Sequence, residues 1–221
     1  MSDVQHPRLG PAVGEPRSAA DAPAFTGAGL LARLGECTVA VIGCGGLGSN
    51  AAHCLVRAGI GGLILADFDR VEEENLNRQF FFRDQVGVPK TEALAENLRR
   101  IRPDVELVLV SERLTEANLL VAVRGADAII EAVDTAATKA MIMNVCTEQL
   151  PGVPLAAASG LAGCGPADAI VTERLSENLW VIGDLTSDVR DGLPLVAPRV
   201  CVAAAAQAHA VVRVLLGLTE A

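Results

Sequence analysis

A chain of 221 residues is about one and a half times an average domain length, so one α/β unit with modest extensions is expected. Hydrophobic residues make up 51% and charged residues 20%, enough apolar material for a sizeable core and too much for a largely disordered chain. The net charge of −9 disfavours a nucleic-acid or anionic-membrane surface, because holding polyphosphate needs clustered Lys and Arg.

Residues 1–26 hold Pro7, Pro11, Pro16 and Pro23 among Gly, Ala and Ser, with no helical or alternating period. They read as a flexible arm ahead of a single domain over 27–221. A short helix is expected over 29–36. Residues 38–43 form a compact β-branched run that stops at glycines, the pattern of a strand buried on both faces. Helical spacing follows over 48–57, closed by Gly59, and a second buried strand over 63–67. The alternation continues with a helix over 90–101 stopped before Pro103, a strand over 105–110, a helix over 116–123 and a strand over 126–133. A helix over 135–148 and a strand over 155–158 complete it. Short strands over 169–172 and 179–182, a Gly/Pro/Asp-rich loop over 183–198 and a closing helix over 201–216 finish the chain. The expected fold is α/β: a Rossmann-like, mostly parallel sheet with helices on both faces and a small antiparallel C-terminal extension.

Six cysteines, at 37, 44, 54, 146, 164 and 201, include no Cys-x-x-Cys pair, so neither a zinc ribbon nor a thioredoxin-type pair is written here. Reduced, mostly buried thiols of a cytoplasmic protein are the expectation, Cys164 included, and no basic-then-apolar leader is present near residue 1. Residues 200–218 are the longest apolar stretch, but Gln207, His209 and Arg213 inside it point to a helix of the core rather than a membrane span.

Gly43-Cys44-Gly45-Gly46-Leu47-Gly48 matches G-x-G-x-x-G between a predicted strand and a predicted helix, the context that gives this motif meaning. Gly43, Gly45, Gly46 and Gly48 permit a tight turn whose N–H groups, with the helix N-terminus, face a phosphate. Asp67 ends the next strand, where an acid that bonds a ribose hydroxyl belongs. The segment Asp67-Phe68-Asp69 through Asn75, Arg78 and Lys90 carries more polar equipment than a nicotinamide cofactor needs, and suits a triphosphate. Arg78 can fork to phosphate oxygens, and Lys90, after Pro89, adds a charge beside a second helix start. Asp134 follows an apolar strand at the carboxyl edge of the sheet, where a carboxylate can hold Mg²⁺ against phosphates or cap a helix. Phe68, Phe80, Phe81 and Phe82 are four of only six aromatic residues. They are expected to pack the Arg78 loop onto the body or onto a second subunit.

The run from Gly43 to Gly48, with Asp67-Phe68-Asp69, Asn75-Leu76-Asn77-Arg78-Gln79, Pro89-Lys90 and Val133-Asp134, resembles the ATP-binding signature of the ThiF/MoeB/HesA family, bacterial relatives of ubiquitin-activating enzymes. The resemblance covers about residues 34–217 and is strongest to ThiF-type proteins. It implies ATP-dependent adenylation of the C-terminal Gly-Gly carboxylate of a ubiquitin-like sulfur carrier, with thiamine synthesis as the pathway and a homodimer as the assembly. By motif it implies Gly46 at the phosphates, Asp67 on the ribose, Asn75, Arg78 and Lys90 around the triphosphate, and Asp134 on Mg²⁺. The two Cys-x-x-Cys pairs that hold structural zinc in many relatives are absent, so no zinc is expected and packing must hold the outer lobe. An N-terminal arginine that completes the partner's site in relatives has no clear equivalent among Arg8, Arg17 and Arg33.

Three other readings share parts of this pattern. A tRNA dehydratase branch of the same family also activates a carboxylate with ATP, but the charge of −9 speaks against nucleic acid. A NAD-dependent dehydrogenase shares the glycine turn and Asp67 but leaves Asn75, Arg78 and Lys90 unexplained. A non-catalytic docking homologue would keep the fold without needing those residues.

Overall fold

The computed structural model describes residues 27–218. The arm over 1–26 lies outside the described residues, as do Arg8 and Arg17. The elements are α1 (Gly27–Gly35), β1 (Thr38–Ile42), α2 (Gly46–Ala58), β2 (Gly62–Ala66), α3 (Lys90–Ile101), β3 (Glu106–Val110) and α4 (Leu119–Ala122). They continue with β4 (Ala128–Glu131), α5 (Ala136–Gln149), β5 (Leu155–Ala158), β6 (Val171–Ser176), β7 (Leu179–Gly183) and α6 (Ala197–Leu215).

All seven strands form one sheet in the order β3-β2-β1-β4-β5-β7-β6. The expected antiparallel extension exists as the β6–β7 hairpin, but β7 pairs in parallel with β5, so the hairpin continues the main sheet. Order reverses between β1 and β4, and at such a switch point the loops leaving the two strands part and open a crevice.

Side chains alternate strictly across the sheet, as the period-2 pleat requires. Val39 and Val41 of β1, with Leu63 and Leu65 of β2, enter one cluster together with α2, α3 and α6. Ala40, Ile42, Ile64 and Ala66 enter the other, with α4 and α5. Both clusters are built almost wholly from Ala, Val, Leu and Ile. Small residues make this possible: Ala51 and Ala52 of α2 and Ala203, Ala204 and Ala208 of α6 are fully or almost fully buried, and they bring these helices close to each other.

Most elements fall where the sequence places them. The helix expected over 116–123 shrinks to Leu119–Ala122, because the side-chain oxygen of Asn118 takes the Thr115 N–H and opens a turn before it. The last helix starts four residues early, at Ala197, with Pro198 in its first turn, where a missing N–H costs nothing. Among the described residues no helix is long and apolar enough to cross a membrane.

Candidate active site

The chain leaves β1 and enters α2 through the glycine turn. Gly43 has φ +92°, and a Cβ there would stand 2.6 Å from the Ala132 carbonyl oxygen; at Gly48 it would stand 1.7 Å from the Gly43 carbonyl oxygen. These two glycines therefore let turn, helix and the end of β4 touch. Gly45 and Gly46 line the cleft instead, as does Gly43, whereas Gly48 is buried beneath it. Asp67 locks the turn: one carboxylate oxygen accepts the Cys44 N–H at 2.6 Å and the other the Asp69 N–H at 2.8 Å. Each oxygen keeps a second lone pair for a ligand hydroxyl. Cys44 itself is fully buried, and burial together with the Asp67 carboxylate pushes its thiol well up, so it stays unreactive.

The segment from 67 to 90 is fastened to α2 and α3 by buried polar side chains. Ser49 of α2 accepts the Phe80 N–H at 2.9 Å, and the Asn50 amide donates to the carbonyls of Gly46 and Arg78. Asn97 of α3 donates to the Phe80 carbonyl, and its amide exchanges hydrogen bonds with Gln85. These four residues were not singled out in the sequence; a polar residue on the apolar stripe of a helix, as at Asn97, is the signal that marks them.

Arg78 lays its stem over Gly46, and its guanidinium donates to the Glu74 carbonyl and the Asn77 side chain, while its Nε is buried without a partner. Lys90 is almost completely buried and pairs with Asp69 at 3.0 Å. Asn75 is the exception among the predicted ligands. Its side chain is buried, accepts the Glu72 N–H and shapes the turn over Glu73–Asn77 that presents Arg78; it does not line the cleft.

The phenylalanines divide. Phe81 is core, and the Phe80 ring packs at a tilt of 45° against the His53 ring with centroids 4.7 Å apart, so these two pin the Arg78 loop to the body. Phe82 is exposed. Phe68 stands in the cleft with the Arg113 guanidinium 3.9 Å from its ring centre. Burial and the neighbouring Arg57 push the His53 imidazole pKa down, which keeps it neutral and suited to this packing.

Across the switch point, Asp134 is exposed on the cleft wall and accepts the Thr135 hydroxyl at 3.1 Å; Thr135, not Asp134, is the cap residue of α5. Beneath it Glu131, wholly buried, pairs with Lys139 and accepts the Val133 N–H. Burial pushes the Glu131 carboxyl up, opposed by Lys139 and the N–H groups of Val133 and Ala158. Glu131 and Lys139 were not singled out in the sequence; the charge inside the apolar run Ala-Ile-Ile-Glu-Ala-Val is the signal that marks them.

The outer wall comes from the turn after β5 and the loop after β7. Arg199 of α6, with 5% of its side chain exposed, bonds Asp184 at 2.5 Å and the carbonyls of Gly165 and Pro166. Asp184 also accepts the N–H groups of Thr186 and Ser187. Burial works against the Asp184 charge, but these donors and Arg199 outweigh it and hold the carboxyl well below its ordinary range. Packing alone thus does not hold this lobe; one buried arginine ties it. Cys164, expected to be buried, is exposed, as is Cys201. Arg33 pairs with Glu36 of its own helix end.

Gly43, Gly45, Gly46, Asp67, Asp69, Arg78, Lys90 and Asp134 converge on one cleft of about 560 Å³, in the size range of small-molecule sites. A profile of the ThiF family matches residues 17–221. The chain belongs to that family. It is 38% identical over 124 residues to the SAMP-activating enzyme E1 of Haloferax volcanii (56% of this chain, 45% of that protein). It is 36% identical over 132 residues to the sulfur carrier protein ThiS adenylyltransferase of Escherichia coli (59% and 53%). The chain thus spans about half the length of these relatives. Among solved structures, the tRNA N6-threonylcarbamoyladenosine dehydratase of E. coli in complex with ATP superposes with a TM-score of 0.72 at 25% identity, over 85% of this chain and 87% of that one.

A cluster of three or more His, Cys, Asp or Glu that could hold a metal is absent among the described residues. Asp134 nevertheless fits Mg²⁺, which is commonly held by one or two carboxylates plus substrate phosphates and keeps several waters.

Proposed function

We propose that the chain adenylates the C-terminal carboxylate of a small ubiquitin-like carrier ending in Gly-Gly, releasing pyrophosphate from ATP. The observation that carries this is the convergence of the glycine turn, Asp67, Arg78, Lys90 and Asp134 on one cleft that no described histidine lines. A carboxylate is already ionised at neutral pH, so its attack on the α-phosphorus needs no general base. What the reaction needs is alignment and charge compensation as negative charge builds on phosphate oxygens.

The residues divide that work. Asp67 receives a ribose hydroxyl while holding the turn; the backbone of Gly45 and Gly46 approaches the phosphates, with the α2 N-terminus behind them. Arg78 turns its guanidinium from the Glu74 carbonyl and Asn77 to the triphosphate, giving its orphaned Nε a partner. Lys90 releases part of its pairing with Asp69 to the same oxygens. Asp134 would hold Mg²⁺, and the ion would supply compensation for negative charge on the phosphates. The relatives' names supply the carrier class: SAMP for the Haloferax enzyme and ThiS for the E. coli enzyme.

Carrier-dependent ATP–pyrophosphate exchange tests this. Arg78→Ala and Asp134→Ala should each lower exchange by about 100-fold, the scale of losing one charge-stabilising group. Exchange unchanged in both variants would remove these residues from the chemistry, and exchange that needs tRNA in place of carrier would favour the dehydratase reading.

A further inference from the structure

The sheet order lays the cleft out as a row. At one end lie Asp67 and Phe68 after β2 with Glu112 and Arg113 after β3; the glycine turn after β1 follows, then Asp134 and Lys139 after β4. At the far end lie Ser159 and Gly160 after β5 with Ser187–Arg190 after β7. On the adenylation reading the nucleoside and phosphates occupy the β3–β1 half, so the β5–β7 half is left for the group that attacks.

That half carries a carboxylate–guanidinium pair of its own. Arg190 Nε and Nη2 both donate to one oxygen of Asp188, at 2.8 and 2.5 Å, while the other Asp188 oxygen accepts the Arg190 N–H. The Arg190 side chain is 82% exposed, so its pairing is a surface one that water screens and another carboxylate can displace. Lys139, the other cation on this side, is committed to the buried Glu131.

The loop bearing the pair is fixed at its two roots and exposed at Val189 and Leu193 between them. Asp184 and Leu185 donate their N–H groups to the turn after β5, Arg199 clamps Asp184, and the Pro194 carbonyl accepts the Gly163 N–H at 2.8 Å. Between the roots, Val189 and Leu193 are 53% and 41% exposed. Leu185, the one described non-glycine residue with positive φ (61°), and Gly192 (φ 77°) bracket the segment, two bends at which it can turn.

We propose that Asp188 occupies, in the free protein, the place of the substrate's terminal carboxylate, and that Arg190 exchanges Asp188 for that carboxylate when the tail enters. Arg190 then holds the nucleophile at the β5–β7 end and takes no part in holding ATP. This rests on the adenylation reading. It makes opposite predictions for the two members of one ion pair, whereas a purely structural pair would lose function whichever member is removed.

The test is calorimetric titration of the full chain, saturated with a non-hydrolysable ATP analogue, with E. coli ThiS and with ThiS amidated at its C-terminus. Wild-type protein should prefer the free acid by about tenfold, the scale of one charge-assisted contact. Arg190→Ala should bring that ratio near one and leave affinity for the ATP analogue unchanged. Asp188→Asn, which keeps an acceptor for the Arg190 N–H, should tighten the free acid a few-fold through loss of the competing charge. A ratio preserved in Arg190→Ala, a loss of ATP affinity in its place, or weaker acid binding in Asp188→Asn would overturn the inference, as would a wild type that binds ATP but prefers neither form. Absence of ATP binding by the wild type would instead overturn the adenylation reading itself.

Discussion

The turn between β1 and α2 and the loop between β7 and α6 face each other across the same cleft, yet they are held by different means. Around the turn, backbone touches backbone at Gly43 and Gly48, and short uncharged side chains, Ser49 and Asn50, fasten the neighbouring loop. The outer loop depends on charge, through Arg199 and Asp184 and the carbonyls that Arg199 collects. Close backbone contact leaves few alternative positions, which suits groups that must meet a phosphate within tenths of an ångström. A loop pinned only at its roots can admit and release a bulkier second substrate.

Removing the arginine from the outer wall should have the largest effect on stability. Arg199→Ala leaves the half-buried Asp184 without its cation and the Gly165 and Pro166 carbonyls without their donor, which should cost about 3 kcal/mol, read as a lower urea midpoint. If the loss is only a few tenths, the outer wall is held by packing and the contrast between the two regions fails.

The inner wall breaks through volume rather than charge. Gly48→Ala places a Cβ 1.7 Å from the Gly43 carbonyl oxygen, so turn or helix must shift. Overpacking of this kind costs about 1–3 kcal/mol, and ATP binding, measured calorimetrically, should be lost with it. Gly45→Ala is the control: its Cβ would meet nothing nearer than the Gln79 amide at 3.8 Å, so the fold should be unchanged and any loss confined to ATP affinity.

Acid should distinguish the regions with the smallest effect. Asp184 is held below its unfolded pKa, so its stabilisation is complete above about pH 4 and is lost as pH falls through and below the ordinary Asp range. The urea midpoint should fall between about pH 4.5 and about pH 2.5, and less steeply in Asp184→Asn. Equal steepness in both proteins would place the acid sensitivity elsewhere.

Much of the first region was legible in the residue order. G-x-G-x-x-G, Asp67, Lys90 and Asp134 are read by local spacing, since each lies at a strand end or helix start that hydrophobic periodicity already marks, whereas Arg78, in the long connection between β2 and α3, is read from the polar run around it. Asn75 shows the limit of that reading: spacing places it in the motif, but only the fold shows it turned inward to shape the turn that carries Arg78. The buried partners Gln85 and Asn97 lie twelve positions apart, and nothing local couples them. The Phe run was legible as a cluster, but its division into Phe81 in the core and Phe82 in solvent depends on which way the loop faces.

By itself the sequence determined the alternation of strands and helices, the glycine turn and the charged residues around it, because these follow from periodicity and backbone sterics over a few residues. The tertiary structure alone decided that β7 joins β5 in parallel and that Arg199 and Asp184, fifteen positions apart, meet. It also decided that Asp188 and Arg190 overhang the β5–β7 end of the cleft. These are contacts between segments that only the closing of the sheet brings together, and their free energy arises from the burial and charge pairing that closure creates.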